Sequence, residues 1–387
     1  MKELAERGKQ IERPAYRVIR DYAAQLGYKD LIYLNIGEPD FPTPQNIVKA
    51  AKKAMDKGFT HYTEERGLAE LRERLALKIR EEKKVEIEKD GILVTNGSAE
   101  AIFVTLMSLV NPGDEVILFK PYYPPYLSCV RMAGGKPVFV PVNEETLIPD
   151  PETLKDFVSE KTKAIIVNSP CNPTGMVYDK DTLKAVAEIA ADNDIYILTD
   201  EVYDRFIYDG NSFFSIASFD KNLERTIIIN SFSKTYAMTG WRIGYLAGNK
   251  ELVSNILKVK SAVNVCANAI SQKAALEALK KSSDRYVKKM LAEYARRRKL
   301  VLNMLSKVSE FKYPKPNGAF YLFPDISALE KDSLKFTMYL LEEAHVVVSP
   351  GNAFGSDGHI RISYASSMKN LKTAMNRIVN AVKEYKA

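Results

Sequence analysis

The stretch Thr226-Ile-Ile-Ile-Asn-Ser231-Phe-Ser-Lys234, followed by Gly240-Trp-Arg242, organises the reading of the whole chain. The β-branched run reads as a buried strand. Lys234 then lies just past the carboxyl end of that strand, with hydroxyls before it and an arginine after it. A lysine among apolar walls loses hydration of its ammonium, so its pKa falls and its amine can attack a carbonyl. Ser231, Ser233, Arg242 and the amides of the turn suit the three oxygens of a phosphate. The same residues also read as a surface lysine after a core strand, with the arginine packed on Trp241. The rest of the chain has to choose between the two.

A carbonyl ligand that carries a phosphate and condenses with a lysine is pyridoxal phosphate, whose ring nitrogen needs a carboxylate to stay protonated. Asp200 follows the apolar run 195–199 and opens Asp200-Glu-Val-Tyr203. Its other reading is a cap for the next turn or helix. Tyr203 lies three residues on, so its phenol faces the same side if a helix begins there. A third apolar run, 163–167, leads into Asn168-Ser-Pro-Cys-Asn172-Pro-Thr-Gly175, which is rich in turn residues. That places the Asn172 amide at another strand end. Three strand ends thus offer an amide, an acid and an amine, and in parallel α/β sheets such ends gather on one edge where ligands bind.

Together, Asn172-Pro-Thr-Gly175, Asp200-Glu-Val-Tyr203, Ser231-Phe-Ser-Lys234 and Gly240-Trp-Arg-Ile-Gly244 resemble the class I/II aminotransferases, a group of fold-type I pyridoxal-phosphate enzymes. The resemblance runs from Asn35-Ile-Gly37-Glu-Pro-Asp40 to Arg361-Ile-Ser-Tyr364. It implies that Lys234 holds the cofactor and then moves the substrate proton. It implies that Asp200 pairs with the ring nitrogen, that Asn172 and Tyr203 hold the ring oxygen, and that Ser231, Ser233 and Arg242 bind the phosphate. Gly97, Ser98 and Ala99, in a strand–turn–helix pattern, match a further phosphate contact, since helix amino termini favour anions. Tyr123 matches the aromatic ring that stacks on the cofactor. Tyr62, in His61-Tyr-Thr63, matches a tyrosine that reaches the phosphate of a neighbouring subunit, which implies a homodimer with shared active sites. Arg361, between Ile360 and Ile362 in a strand pattern, matches the group that grips the substrate carboxylate, helped by the amide near Gly37 and by Asn172. Read alone, Arg361 is equally an exposed strand arginine in a weak ion pair.

The implied fold is α/β: a large domain with a mostly parallel seven-stranded sheet sandwiched by helices, plus a smaller α+β domain. Segments 92–95, 115–119, 136–140, 163–167, 195–199, 226–230 and 243–247 read as the strands. The last follows the lysine loop after only a dozen residues, too few for a helical crossover, and is expected to run antiparallel. Thr43-Pro44 reads as a helix start with threonine as cap. Residues 1–45 are expected to join the small domain, 46–280 to form the large one, and 281–387 to complete the small one.

The 387 residues carry 56 basic and 49 acidic groups, a net charge of +7 that is mixed along the chain. Arg296-Arg-Arg-Lys299, the densest basic run, lies in an apparent helix over 284–308 and reads as a solvated face rather than a nucleic-acid site. Cys129, Cys171 and Cys266 have no metal or disulfide spacing and suggest a reducing compartment. Met1-Lys-Glu-Leu-Ala-Glu-Arg7 lacks an apolar signal core, and no run is long enough to span a bilayer. A cytoplasmic enzyme acting on small molecules, with no nucleic acid, membrane or metal, is expected.

The expected reaction is ping-pong transamination from an L-amino acid to a 2-oxo acid, with 2-oxoglutarate paired with aspartate, alanine or an aromatic partner. A β-lyase or decarboxylase of the same fold would show the same motifs. A cofactor-sensing regulator would need an added DNA-binding domain, and the cofactor-domain pattern starts near residue 30. A dehydrogenase would need a Gly-x-Gly-x-x-Gly turn after the first strand, and there is none. One aspartate-specific subgroup places a lysine in the glycine turn where this chain has Ala99. Lys260, Arg66 and Arg131 are the sequence's candidates to replace it, and Tyr122, Tyr123 and Tyr126 would suit an aromatic side chain.

Overall fold

A computed structural model describes residue 3, residues 5–11 and residues 13–385. Positions 1, 2 and 4 of the amino-terminal segment read above lie outside the described residues. The strands are β1 (Ile32–Tyr33), β2 (Ile92–Thr95), β3 (Glu115–Lys120), β4 (Lys136–Pro141), β5 (Thr162–Asn168), β6 (Tyr196–Asp200), β7 (Thr226–Ser231), β8 (Gly244–Ala247), β9 (Tyr321–Leu322), β10 (Val346–Val347), β11 (Ser349–Pro350) and β12 (Ile360–Ser363). Seven of them form one sheet in the order β2-β8-β7-β6-β5-β3-β4. β8 is antiparallel to both its neighbours, and the other pairings are parallel. The α/β fold and its single reversed strand are as the sequence indicates.

Alternate side chains of each central strand enter opposite cores, which is why the runs are apolar without a break. Ile117, Ile165 and Ile197 pack on one face. Leu118, Ile166, Leu198 and Ile229 pack on the other. Register then sets the functional edge: Asn168 pairs with Asp200, and Asp200 with Ile229, two residues before Ser231.

Two small sheets come from the rest of the chain. β11-β12-β9 is antiparallel, and β1 pairs in parallel with β10, joining residues near the amino terminus to the carboxyl-terminal third. Buried Ile19 and Ala23 of the helix Ala15–Gln25 pack with Leu341 and Val347.

Two local expectations are corrected. Thr43 does not cap the helix Gln45–Asp56, whose preceding residue is Pro44 with no side-chain cap. Its hydroxyl instead donates to the Ala237 carbonyl at 2.6 Å and accepts from Trp241 Nε1 at 2.9 Å, tying the loop after Lys234 to the amino-terminal segment. The basic run in the helix Lys281–Leu305 is not a solvated face. Arg297 and Arg298 are buried, while Arg296 and Lys299 are exposed. Arg297 reaches Asp40 at 2.6 Å and Glu293 at 3.2 Å, and Arg298 reaches Asp209 at 2.9 Å and the Pro316 carbonyl at 2.5 Å. Buried guanidinium groups require such partners.

Gly244 lets β8 pass close to the turn after β2. A Cβ there would fall 2.8 Å from the Gly97 carbonyl carbon and 2.9 Å from the Asn230 oxygen, both backbone atoms that cannot swing away. Gly244→Ala should cost about 1–3 kcal/mol, as overpacking does. The urea midpoint measures it, and an unchanged midpoint would show that the sheet yields freely.

Candidate active site

The carboxyl edges of β5, β6 and β7 open into a cavity of about 350 Å³, within the range of small-molecule sites. It is lined by Ser98, Ala99, Tyr123, Asn172, Asp200, Tyr203, Ser231, Ser233, Lys234, Arg242, Gly37 and Arg361. Gly97 abuts it through Arg242. Of the sequence candidates only Tyr62 lies apart, 83% exposed on the surface.

Lys234 is half-buried, and its Nζ donates to the Gly37 carbonyl at 2.6 Å. Desolvation depresses its pKa to about 8, with Arg361 and Arg242 pushing the same way and Glu38 opposing. Asp200 is buried at the end of β6. Burial lifts its carboxyl to about 6, although a hydrogen bond from Tyr126 at 2.7 Å favours the charged form. It caps no helix: residues 202–205 form turns, and Asp200 Oδ1 accepts from the Val202 amide at 3.3 Å.

Asn172 is held from both ends. Its amide N–H donates to Asn168 Oδ1 at 2.8 Å, and its Oδ1 accepts from Arg361 Nη1 at 2.9 Å. Because arginine only donates, the Asn172 oxygen must face Arg361, which leaves its NH2 group to the cavity. Tyr203 is buried, with its hydroxyl 2.6 Å from that of Tyr321. Tyr123 packs edge-on against Tyr126.

Arg361 is only 4% exposed, yet it forms no ion pair with a carboxylate among the described residues. It donates to Asn172, to the Asn35 carbonyl at 2.7 Å and to Ser349 at 3.4 Å, and its Nε has no partner. Tyr321 and Phe354 flank the guanidinium at 4.6 and 4.8 Å from their ring centres. The reading of Arg361 as an exposed residue in a weak ion pair is therefore excluded. A buried, incompletely satisfied cation beside a cavity suits an anionic ligand.

The phosphate candidates converge on the other side. Gly97 takes φ +93° before the helix Ser98–Leu109, and a Cβ there would lie 2.6 Å from Arg242 Nη2. Arg242 is exposed, adopts the left-handed region and donates to the carbonyls of Thr239 at 2.9 Å and Asn96 at 3.2 Å. Ser231 and Ser233 present hydroxyls 2.8 Å apart. Behind them, Asn230 Oδ1 accepts from the Ser231 amide at 2.7 Å and Asn230 Nδ2 donates to Asp204 at 2.9 Å. Asp204 and Glu201 pair with buried Lys83. Burial alone would lower the Lys83 pKa, but the two acids more than reverse that and raise it.

The aminotransferase class I and II family model matches residues 29–378. The chain belongs to this family. It is a pyridoxal-phosphate-dependent aminotransferase. It is 41% identical to an aspartate aminotransferase of Pyrococcus horikoshii, over 99% of this chain and 98% of that one. It is 40% identical to aromatic-amino-acid aminotransferase 2 of Thermococcus litoralis, over 99% of both. A solved structure of the Thermus thermophilus aspartate aminotransferase with maleate superposes with a TM-score of 0.94 at 39% identity, covering 98% of this chain and 100% of that one.

Six contributors to the aminotransferase cavity escaped the sequence reading, Tyr16 and Thr239 among them. Asn168 was visible only as a strand end, and Tyr321 only as part of an apolar segment. Arg17 and Arg20 carried no motif at all. Tyr126 was read as a possible contact for aromatic substrates, but its hydroxyl is committed to Asp200. Tyr122 stacks on Phe139 outside the main cavity. None of the three cations proposed to replace a lysine at Ala99 lines this cavity. Lys260 is held by the Glu65 and Val265 carbonyls, Arg66 by Asp90 and Ser254, and Arg131 by Gln10.

A lowered lysine pKa means a larger neutral fraction at neutral pH, about one tenth at pH 7 for a pKa near 8. Reconstitution of the apoenzyme with pyridoxal phosphate should therefore accelerate up to about pH 8 and level off above it. An inflection near the ordinary lysine value would contradict the desolvated amine. Tyr126→Phe removes a donor that favours the Asp200 carboxylate, so Asp200 should titrate above about 6 in infrared difference spectra of the apoenzyme. An unchanged titration would show that the phenol does not influence the acid.

Proposed function

We propose that this aminotransferase exchanges the amino group of an L-amino acid with 2-oxoglutarate, and that the cavity residues take the roles their geometry suits. Pyridoxal phosphate, when bound, supplies an aldehyde for amine exchange and a ring that withdraws electrons as the α-proton leaves. The donor set fits it: a depressed lysine, a buried acid, a free amide NH2 and a cationic cradle emptied of side chain at Gly97.

Lys234 carries the proton. Its amine is neutral often enough at physiological pH to act as base, and protonated often enough to return the proton as acid. Asp200 would hold the cofactor's ring nitrogen, and a protonated nitrogen there would favour the charged form of the carboxylate. Asn172 NH2 and the Tyr203 hydroxyl would donate to the cofactor's ring oxygen, and Tyr123 would supply an aromatic surface for its ring. Ser231, Ser233, Arg242 and the amides of Ser98 and Ala99 bind the phosphate. Arg361 grips the substrate α-carboxylate through two parallel donors. Its contact with Asn172 couples substrate binding to cofactor orientation. Gly37 leaves room beside Tyr321, whose hydroxyl would lie 2.5 Å from a Cβ at that position.

The single observation that carries the reading is the convergence of Lys234, Asp200 and unpaired, buried Arg361 on one cavity. The activities of the aspartate and aromatic-amino-acid aminotransferase relatives favour dicarboxylic and aromatic partners. We further propose a homodimer in which Tyr62 completes the phosphate site of the adjoining subunit; its exposure supports this. The pairing of β1 with β10 supports assigning residues 1–45 and 281–387 to a small domain that closes over substrate against 46–280. Three unpaired cysteines support a cytoplasmic location, and no described helix is long and apolar enough to cross a membrane.

Lys234→Ala should retain the fold but lose roughly 10²–10⁴-fold or more in turnover with any donor. Product formation with and without 2-oxoglutarate is the companion assay. Sustained turnover without an acceptor would identify a lyase instead.

A further inference from the structure

Five cations line the active-site cavity: Arg17, Arg20, Lys234, Arg242 and Arg361. Two acids face them, Glu38 and Asp200. The proposed chemistry engages Lys234 with the aldehyde, Arg242 with the phosphate, Arg361 with the α-carboxylate and Asp200 with the ring nitrogen. Arg17 and Arg20 are left over, with Glu38, whose carboxylate accepts from the Thr239 hydroxyl.

Both arginines ride on the helix Ala15–Gln25, three residues apart, so they share one side of it. The helix is fixed on the rim by buried Ile19 and Ala23. Its first turn is placed by Tyr16, which stacks on Phe354 with ring centres 6.4 Å apart and an interplanar angle of 19°. Phe354 is also the ring beside the Arg361 guanidinium. The helix therefore stands next to Arg361, and its Arg17 and Arg20 line the same cavity as that guanidinium.

The partners of the two arginines differ. Arg17 is exposed and lines the cavity; its backbone N–H donates to the Pro14 carbonyl at 2.9 Å, while its guanidinium has no hydrogen-bond or ion-pair partner among the described residues. Arg20 approaches Asp21 at 3.3 Å, but Asp21 is also held by Arg13. The glycine turn offers no charge at Ala99, and Lys260, Arg66 and Arg131 are bound elsewhere.

We propose that Arg17, assisted by Arg20, binds the distal carboxylate of dicarboxylic substrates, the role that Ala99 cannot fill. This rests on the aminotransferase reading of the cavity and adds its side-chain specificity. The contact is open to solvent, and Glu38 opposes it, so the effect belongs at the lower end of charged hydrogen bonds.

The test uses the holoenzyme and the variants Arg17→Gln, Arg20→Gln and the double variant. Donor half-reactions are followed by the cofactor spectrum for glutamate, aspartate, alanine and phenylalanine. Calorimetry gives the affinity for succinate, a dicarboxylate with no amine to exchange. In Arg17→Gln, the ratio of kcat/KM for glutamate to that for alanine should fall by about tenfold or more, and succinate should bind about tenfold more weakly. Arg20→Gln should show a smaller change in the same direction, and Arg17→Lys should recover part of the ratio. An unchanged ratio with unchanged succinate affinity would overturn the assignment. So would an equal loss for all four donors. A parent enzyme that transaminates alanine or phenylalanine, yet ignores glutamate, aspartate and succinate, would also overturn it while leaving the aminotransferase reading intact. Failure with every donor would strike that reading itself.

Discussion

The active site depends on the parallel register of β5, β6 and β7. Pairing Asn168 with Asp200 brings the ends of two buried strands level. The Asn168 side chain then fastens them: Nδ2 donates to the Asp200 carbonyl at 3.0 Å, while Oδ1 receives the Asn172 amide. One residue slip would reverse which side chains face the core and which face the edge. The acid, the amide loop and the serine–lysine loop would then no longer meet. Because each strand packs apolar side chains on both faces, polarity alone does not forbid that slip; the fit of the individual side chains and the polar strand ends hold the register. The same hydrophobic packing that holds the fold thus fixes the chemistry to the sheet edge.

Charge is placed on this edge in two ways. Behind it, Lys83, Glu201 and Asp204 form a closed set, supplemented by Thr199, Ser215 and Asn230. Such a set satisfies its own members and, through Asn230, fixes the amide of Ser231. In the cavity the arrangement is open. Arg361 is buried without an acid, Lys234 is depressed toward neutrality, and Asp200 is raised toward it. Burial without a full set of charged partners shifts each of these groups away from its ordinary state. Polar groups prepared in advance need little reorganisation during reaction.

Local chemistry was legible in the sequence wherever it coincided with a strand end. The runs before Asn168, Asp200 and Ser231 announced their strands, and the motif residues after them fell in the cavity. The brief interval before Gly244 also disclosed the reversed strand. What escaped depended on distant packing. Arg297 and Arg298 looked solvated because their partners, Asp40 and Asp209, lie far away along the chain. Thr43 looked like a cap because only the fold brings Ala237 and Trp241 to it. Tyr126 reaches Asp200 across 74 positions, a distance that no local periodicity encodes.

The same division separates reaction from specificity. The groups proposed to handle the proton and the cofactor stand on the sheet edge, where register and two-sided packing hold them. Arg17 and Arg20 stand on a helix docked against Leu341 and Val347, next to the small β1–β10 sheet. Substitution on that helix changes charge at the cavity mouth without disturbing the strand ends. Motifs drawn from the edge can therefore identify an aminotransferase while remaining silent about the side chain it accepts. The turn holding Ala99 carries no cation into the cavity, whereas Arg17 and Arg20 line it from a different structural layer, so charge at the mouth can vary independently of the strand ends.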